Sequence, residues 1–121
     1  MKFIKSLGLG AVALIVAAPA AQAHAYLTHA VPGAGAVVSV APREILLSYT
    51  EGLEVAFCRV TVQGPDGASV ASAKPQPVPG HEDEMAVAVK ITAPGTYRVV
   101  WHAVSVDTHH THGAFRFTFQ P

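Results

Sequence analysis

Ala114-Phe115-Arg116-Phe117-Thr118-Phe119-Gln120 alternates an aromatic ring with a polar side chain along its whole length. Successive side chains of an extended chain point to opposite faces, so this segment reads as a strand with one apolar and one solvated face. The same period recurs upstream. Met85, Val87, Val89 and Ile91 share a face, and Pro94-Gly95 turns the chain into a long strand over Thr96 to Ser105. Glu44 to Thr50 carries Ile45, Leu47 and Tyr49 in phase, with Pro42 at its entry. In Val55 to Gln63 the even positions Ala56, Cys58, Val60 and Val62 are apolar, and Gly64-Pro65-Asp66-Gly67 ends the run. Ala25 to Val31 precedes the Pro32-Gly33 turn, and Ala68 to Ala73 reads as a short edge strand. Lys74 to Glu84, with three prolines and the triplet Glu82-Asp83-Glu84, reads as an exposed loop. No helical stripe and no internal repeat interrupts the pattern. About seven short strands at this spacing predict an all-β fold, an immunoglobulin-like Greek-key barrel or sandwich of two sheets.

The first 23 residues have a different character. Lys2 and Lys5 precede an apolar run from Leu7 to Ala18, and Ala21-Gln22-Ala23 is the small-residue pattern a signal peptidase cuts after. Residues 1–23 are therefore expected to be a signal peptide and residues 24–121 a single exported domain of about 100 residues. The mature chain then starts with His24, whose free α-amine and ring Nδ1 are able to close one chelate ring on a metal. No internal histidine offers that pair.

The sequence carries eight Lys and Arg against eight Asp and Glu. Loss of Lys2 and Lys5 leaves a formal charge of about −2, which gives no footprint for nucleic acid or for an anionic membrane surface. The leader's apolar run is shorter than the ~20 residues of a bilayer span and no second such run follows, so no stable membrane insertion is expected after cleavage. Export implies an oxidising compartment, yet Cys58 is the only cysteine, so burial must hold the fold without a disulfide. Its phase with Val60 and Val62 makes Cys58 a core residue; the other reading is a thiolate copper ligand.

All seven histidines, at 24, 29, 81, 102, 109, 110 and 112, lie beyond the leader. In Asp107-Thr108-His109 two metal-binding side chains stand two residues apart at the end of the long strand, where extended parity turns both to one side. Read alone, the triplet is equally an aspartate that orders a turn beside a solvent-facing histidine. Joined to His24, it completes a set of one amine, two imidazoles and one carboxylate, which favours copper(II), although zinc accepts the same donors. Chelation through backbone amides needs histidine as the third mature residue, and that residue is Tyr26. His110 has the opposite parity and His112 is undecided. His102 falls on the solvated face, out of phase with Tyr97, Val99 and Trp101; His29 and His81 read as solvated, and Trp101 as a core anchor.

The opening His24-Ala25, the segment Thr50-Glu51-Gly52-Leu53-Glu54, and the block from Tyr97-Arg98-Val99-Val100-Trp101 into Ala103-Val104-Ser105-Val106-Asp107-Thr108-His109 resemble the CopC family of periplasmic copper-binding, copper-resistance proteins. The resemblance implies a Greek-key β-barrel that binds one copper(II) ion through His24, Asp107 and His109. In some members a glutamate at the position of Glu51 serves at or beside the site. It implies sequestration, buffering or delivery of copper, with an inner-membrane CopD-type copper protein as the natural partner. One branch of the family adds a methionine-rich copper(I) site. The corresponding Lys74 to Met85 region here holds a single methionine, so copper(II) alone is expected.

Two other functions fit some of these residues. A copper-dependent oxidative enzyme uses a similar N-terminal histidine chelate, but a carboxylate from Asp107 would occupy a position that oxygen activation needs open. A metal-free immunoglobulin-like scaffold would use none of the histidines. Neither accounts for the whole donor set, and no enzymatic activity is expected.

Overall fold

The computed structural model describes residues 25–121; the proposed leader and His24 lie outside the described residues. Among the described residues eight strands form two sheets: β1 (Leu27–Val31), β2 (Val37–Val38), β3 (Glu44–Tyr49), β4 (Arg59–Gln63), β5 (Gln76–Val78), β6 (His81–Ala88), β7 (Gly95–Val104) and β8 (His110–Phe119). One sheet runs β1-β3-β6-β5 and the other β2-β8-β7-β4. All pairings are antiparallel except that of β2 with β8. The fold is all-β, a two-sheet sandwich.

The in-phase apolar rows meet between the sheets. Ile45, Leu47, Tyr49, Met85 and Val87 from one layer are buried against Val60, Val62, Tyr97, Val99, Trp101 and Phe117 from the other. Ring geometry locks the interior. Tyr97 and Phe117 stack at 5.5 Å within one sheet, and Tyr49 meets Trp101 edge to face at 5.2 Å across the gap. Opposite Trp101 in the β7–β8 ladder stands Gly113, where an added β-carbon would lie 2.6 Å from the indole. Only glycine leaves the ring that space.

Four expectations need correction. The strand placed over Val55 to Gln63 begins only at Arg59, because Val55–Phe57 forms a 3-10 turn that leaves Ala56 exposed; Cys58, Val60 and Val62 keep their inward phase. Ala68 to Ala73 makes isolated bridges, Ser69 to Gln63 and Ala71 to Val89, in place of a strand. The region expected as a loop from Lys74 to Glu84 is the β5–β6 hairpin. Pro77 is tolerated there because β5 is an edge strand, and Pro79-Gly80, with Gly80 at φ +80°, supplies the turn. Finally, β8 starts at His110, four residues before Ala114, because its inward positions there are Thr111 and Gly113, which carry no apolar signal.

Candidate metal centre

At one end of the sandwich, β7 passes into β8 through Ser105 to His109. Ser105 is fully buried, and its backbone and hydroxyl organise the loop. The Ser105 N–H donates to the His109 carbonyl at 3.0 Å, the Thr108 N–H donates to the Ser105 carbonyl at 2.9 Å, and the His109 N–H donates to Ser105 Oγ at 3.2 Å. Closing so tight a loop puts Thr108 at φ +70°, the one non-glycine residue with positive φ among the described residues. A β-branched side chain disfavours that conformation, so the surrounding bonds must hold it.

This loop turns the Asp107 carboxylate onto the His109 ring, with Oδ2 and Nδ1 2.9 Å apart. Extended parity is not the cause, contrary to the sequence argument; a turn brings the pair together. The Ser105 hydroxyl donates to Asp107 Oδ1. That bond first, and the His109 ring second, hold the Asp107 carboxyl below the usual carboxylate range. An ionised carboxylate only accepts, so Nδ1 donates and a neutral His109 ring carries its lone pair on Nε2. The pair therefore offers oxygen and nitrogen donors of the types a borderline divalent metal takes.

Two further segments close on the loop. Leu53 bridges Ser105 in antiparallel register and the Val106 N–H donates to the Gly52 carbonyl at 3.0 Å, so the segment that follows the half-buried Glu51 is tied to the loop. The chain start is tied on both sides. Thr111 Oγ1 donates to the Ala25 carbonyl at 2.7 Å, while the Tyr26 backbone bonds Thr50 twice, its N–H donating to the Thr50 side-chain Oγ1 at 3.0 Å and its carbonyl accepting from the Thr50 N–H at 2.9 Å. Ala25 is thus fixed between the Thr50-Glu51 corner and the start of β8, beside the Asp107–His109 loop.

Sequence reasoning missed Ser105, whose small polar side chain in an apolar run gave no signal. It also missed a trio on the β6 hairpin, where His81, Asp83 and Glu84 have donor atoms within 4.8 Å of one another. The remaining histidines, 29, 102, 110 and 112, are exposed. Both sulfur atoms of the described residues are in the core, Cys58 at 5% and Met85 at 0% exposure.

Fold and loop together describe a small β-sandwich that gathers its polar donors at one end. The chain belongs to the CopC family, whose CopC domain matches residues 27–120. It is 38% identical over 104 residues to Protein YobA of Escherichia coli (strain K12), covering 83% of this chain and 82% of that one. Copper resistance protein C of Escherichia coli is 39% identical over 107 residues, covering 81% and 82%. The crystal structure of CopC from Methylosinus trichosporium OB3b superposes with a TM-score of 0.75 at 26% identity, over 81% of this chain and 95% of that one. No helix among the described residues is long and apolar enough to cross a membrane.

Proposed function

We propose that the protein is a periplasmic copper(II)-binding protein of copper homeostasis and resistance, exported by residues 1–23 and holding one ion at the end of the sandwich through His24, Asp107 and His109. Glu51 lies beside them as ligand or neighbour. The observation that carries this reading is the convergence of the tethered Ala25, the Thr50-Glu51 corner and the Asp107–His109 pair at one end of the fold. His24 directly precedes Ala25 in the sequence, and Ala25 is tied to Thr111, two residues beyond His109, which supports including His24 in the donor set.

Each residue has a distinct task. Asp107 holds the His109 ring by its Nδ1 proton, which leaves Nε2 as the donor nitrogen and sets the ring's direction. Ser105 keeps the carboxylate ionised and aimed. The copper relatives support copper as cargo, and a set richer in nitrogen than oxygen favours copper(II) over harder cations. With Asp107 beside the ion and relatives named for copper resistance, sequestration or handover to an inner-membrane CopD-type protein is preferred to catalysis.

The test compares copper(II) affinity of the chain starting at His24 with that of a version retaining one residue before it. The extra residue converts the amine to an amide and is expected to weaken binding strongly. Equal affinities would remove the amine from the site.

A further inference from the structure

Two histidines that the end site does not use face each other across a different surface. His102 on β7 and His112 on β8 are direct register partners, their ring centroids 5.9 Å apart and their planes 30° from parallel. Both are exposed, on the outer face of the ladder that joins the two longest strands. His110 shares that face, two residues before His112. Thr111, between them, turns the other way to bond Ala25, so this imidazole group and the chain start lie on opposite sides of β8.

Two imidazoles on one ion at ordinary metal–nitrogen distances have donor atoms about 3 Å apart. Rings already paired across a rigid rung approach that spacing by side-chain rotation, with no movement of the backbone. The charged groups on this face are Arg59, the β4 partner of His102, and the Arg98–Arg116 rung; no carboxylate stands among these register partners. The arginines weaken the hold on any cation, and the missing carboxylate leaves nitrogen as the donor type. Such a surface rejects magnesium and calcium and retains metals that prefer imidazole, with copper(II) at the head of the divalent order.

We propose that His102 and His112, with His110 beside them, form a second and weaker copper(II) site on the outer face of the β7–β8 ladder. It would take ions from solution independently of the Asp107–His109 end. The site needs no N-terminal amine, so it is present whether or not the leader has been removed.

The test is stepwise addition of copper(II) sulfate to the leader-free protein, followed by paramagnetic broadening of the histidine ring signals in NMR and by equilibrium dialysis. The first equivalent is expected to leave the His102 and His112 signals sharp and the second to broaden them. His102→Gln and His112→Gln, alone or together, should abolish the second event and keep the first. His109→Ala should do the reverse. The proposal is overturned if the unmodified protein stops at one ion, if the second event survives in the double variant, or if His109→Ala removes both. Should His109→Ala alter neither event, the end-site reading fails while this one stands. Near-UV circular dichroism from the buried Trp101 verifies that each exposed-residue variant is folded.

Discussion

The His109 ring and the Asp107 carboxylate are joined at 2.9 Å although the residue between them, Thr108, sits at φ +70°. Both partners are substantially exposed, 51% and 35%, so the pair adds little to stability and its value is geometric. What secures the geometry is Ser105, buried beneath the loop and bonded to both partners.

Ser105→Ala should therefore lower copper(II) affinity about 10- to 100-fold, the usual effect of removing a group that orients a ligand. The His109 N–H also loses its acceptor, and stability should fall by about 1 kcal/mol. Competition titration against a chelator of known affinity measures the first, and thermal unfolding of the metal-free protein the second. A fall in stability with unchanged affinity would make Ser105 structural only.

Sulfur should take no part in binding. Cys58 accepts the Val104 N–H at 3.3 Å and lies near the Glu54 carbonyl at 3.4 Å, and burial first among several causes pushes its thiol up from the ordinary range. Met85 is sealed between the sheets. Cys58→Ala is expected to leave copper(II) affinity unchanged, and copper(I) titration is expected to reveal no tight site. Loss of copper(II) binding in Cys58→Ala would restore the thiolate reading.

Tyr49 makes the core sensitive to alkali. Its hydroxyl is buried without a hydrogen-bond partner, and desolvation, with a smaller contribution from Cys58, raises its pKa far above the ordinary tyrosine value. An unfolded tyrosine ionises near ~10. The folded protein keeps the proton longer, so this contribution to stability is complete below about pH 10 and is lost progressively as pH rises above it. Tyr49→Phe removes the unpaired hydroxyl and keeps the ring against Trp101. It should raise stability at pH 7 by about 1 kcal/mol and move alkaline unfolding to higher pH. Denaturant melts at pH 7 and pH 11 measure both, and destabilisation at pH 7 would show that the hydroxyl is satisfied.

The sequence made legible the rows that face the core. Ile45, Leu47 and Tyr49, or Phe115, Phe117 and Phe119, must alternate because one side of each strand meets the opposite sheet. Legibility failed where that pressure is absent. β2 has two residues and pairs in parallel with a strand some eighty residues away, and β5 is a three-residue edge strand whose central Pro77 makes it look like a loop. The donor residues Asp107 and His109 stood out by type, but their approach depends on a turn that no alternation encodes. Gly52 and Leu53, next to Glu51, meet the same loop through Val106 and Ser105, contacts invisible in the local pattern.

Gly113 links core to site most directly, because it lies four residues beyond His109 and under the Trp101 ring. An added β-carbon would meet three indole atoms at 2.6 to 3.0 Å. The ring also packs edge to face on Tyr49, so relief requires β8 to move outward or the indole to leave its position. Gly113→Ala should cost about 1–3 kcal/mol, as overpacking of a filled core does. Displacement of β8 also disturbs Thr111, and with it the tether on Ala25. Copper(II) affinity should then fall even at temperatures where the variant is fully folded, a result read from thermal melts and competition titration of the same sample. A folded Gly113→Ala protein with unaltered stability would mean that Trp101 has room to spare.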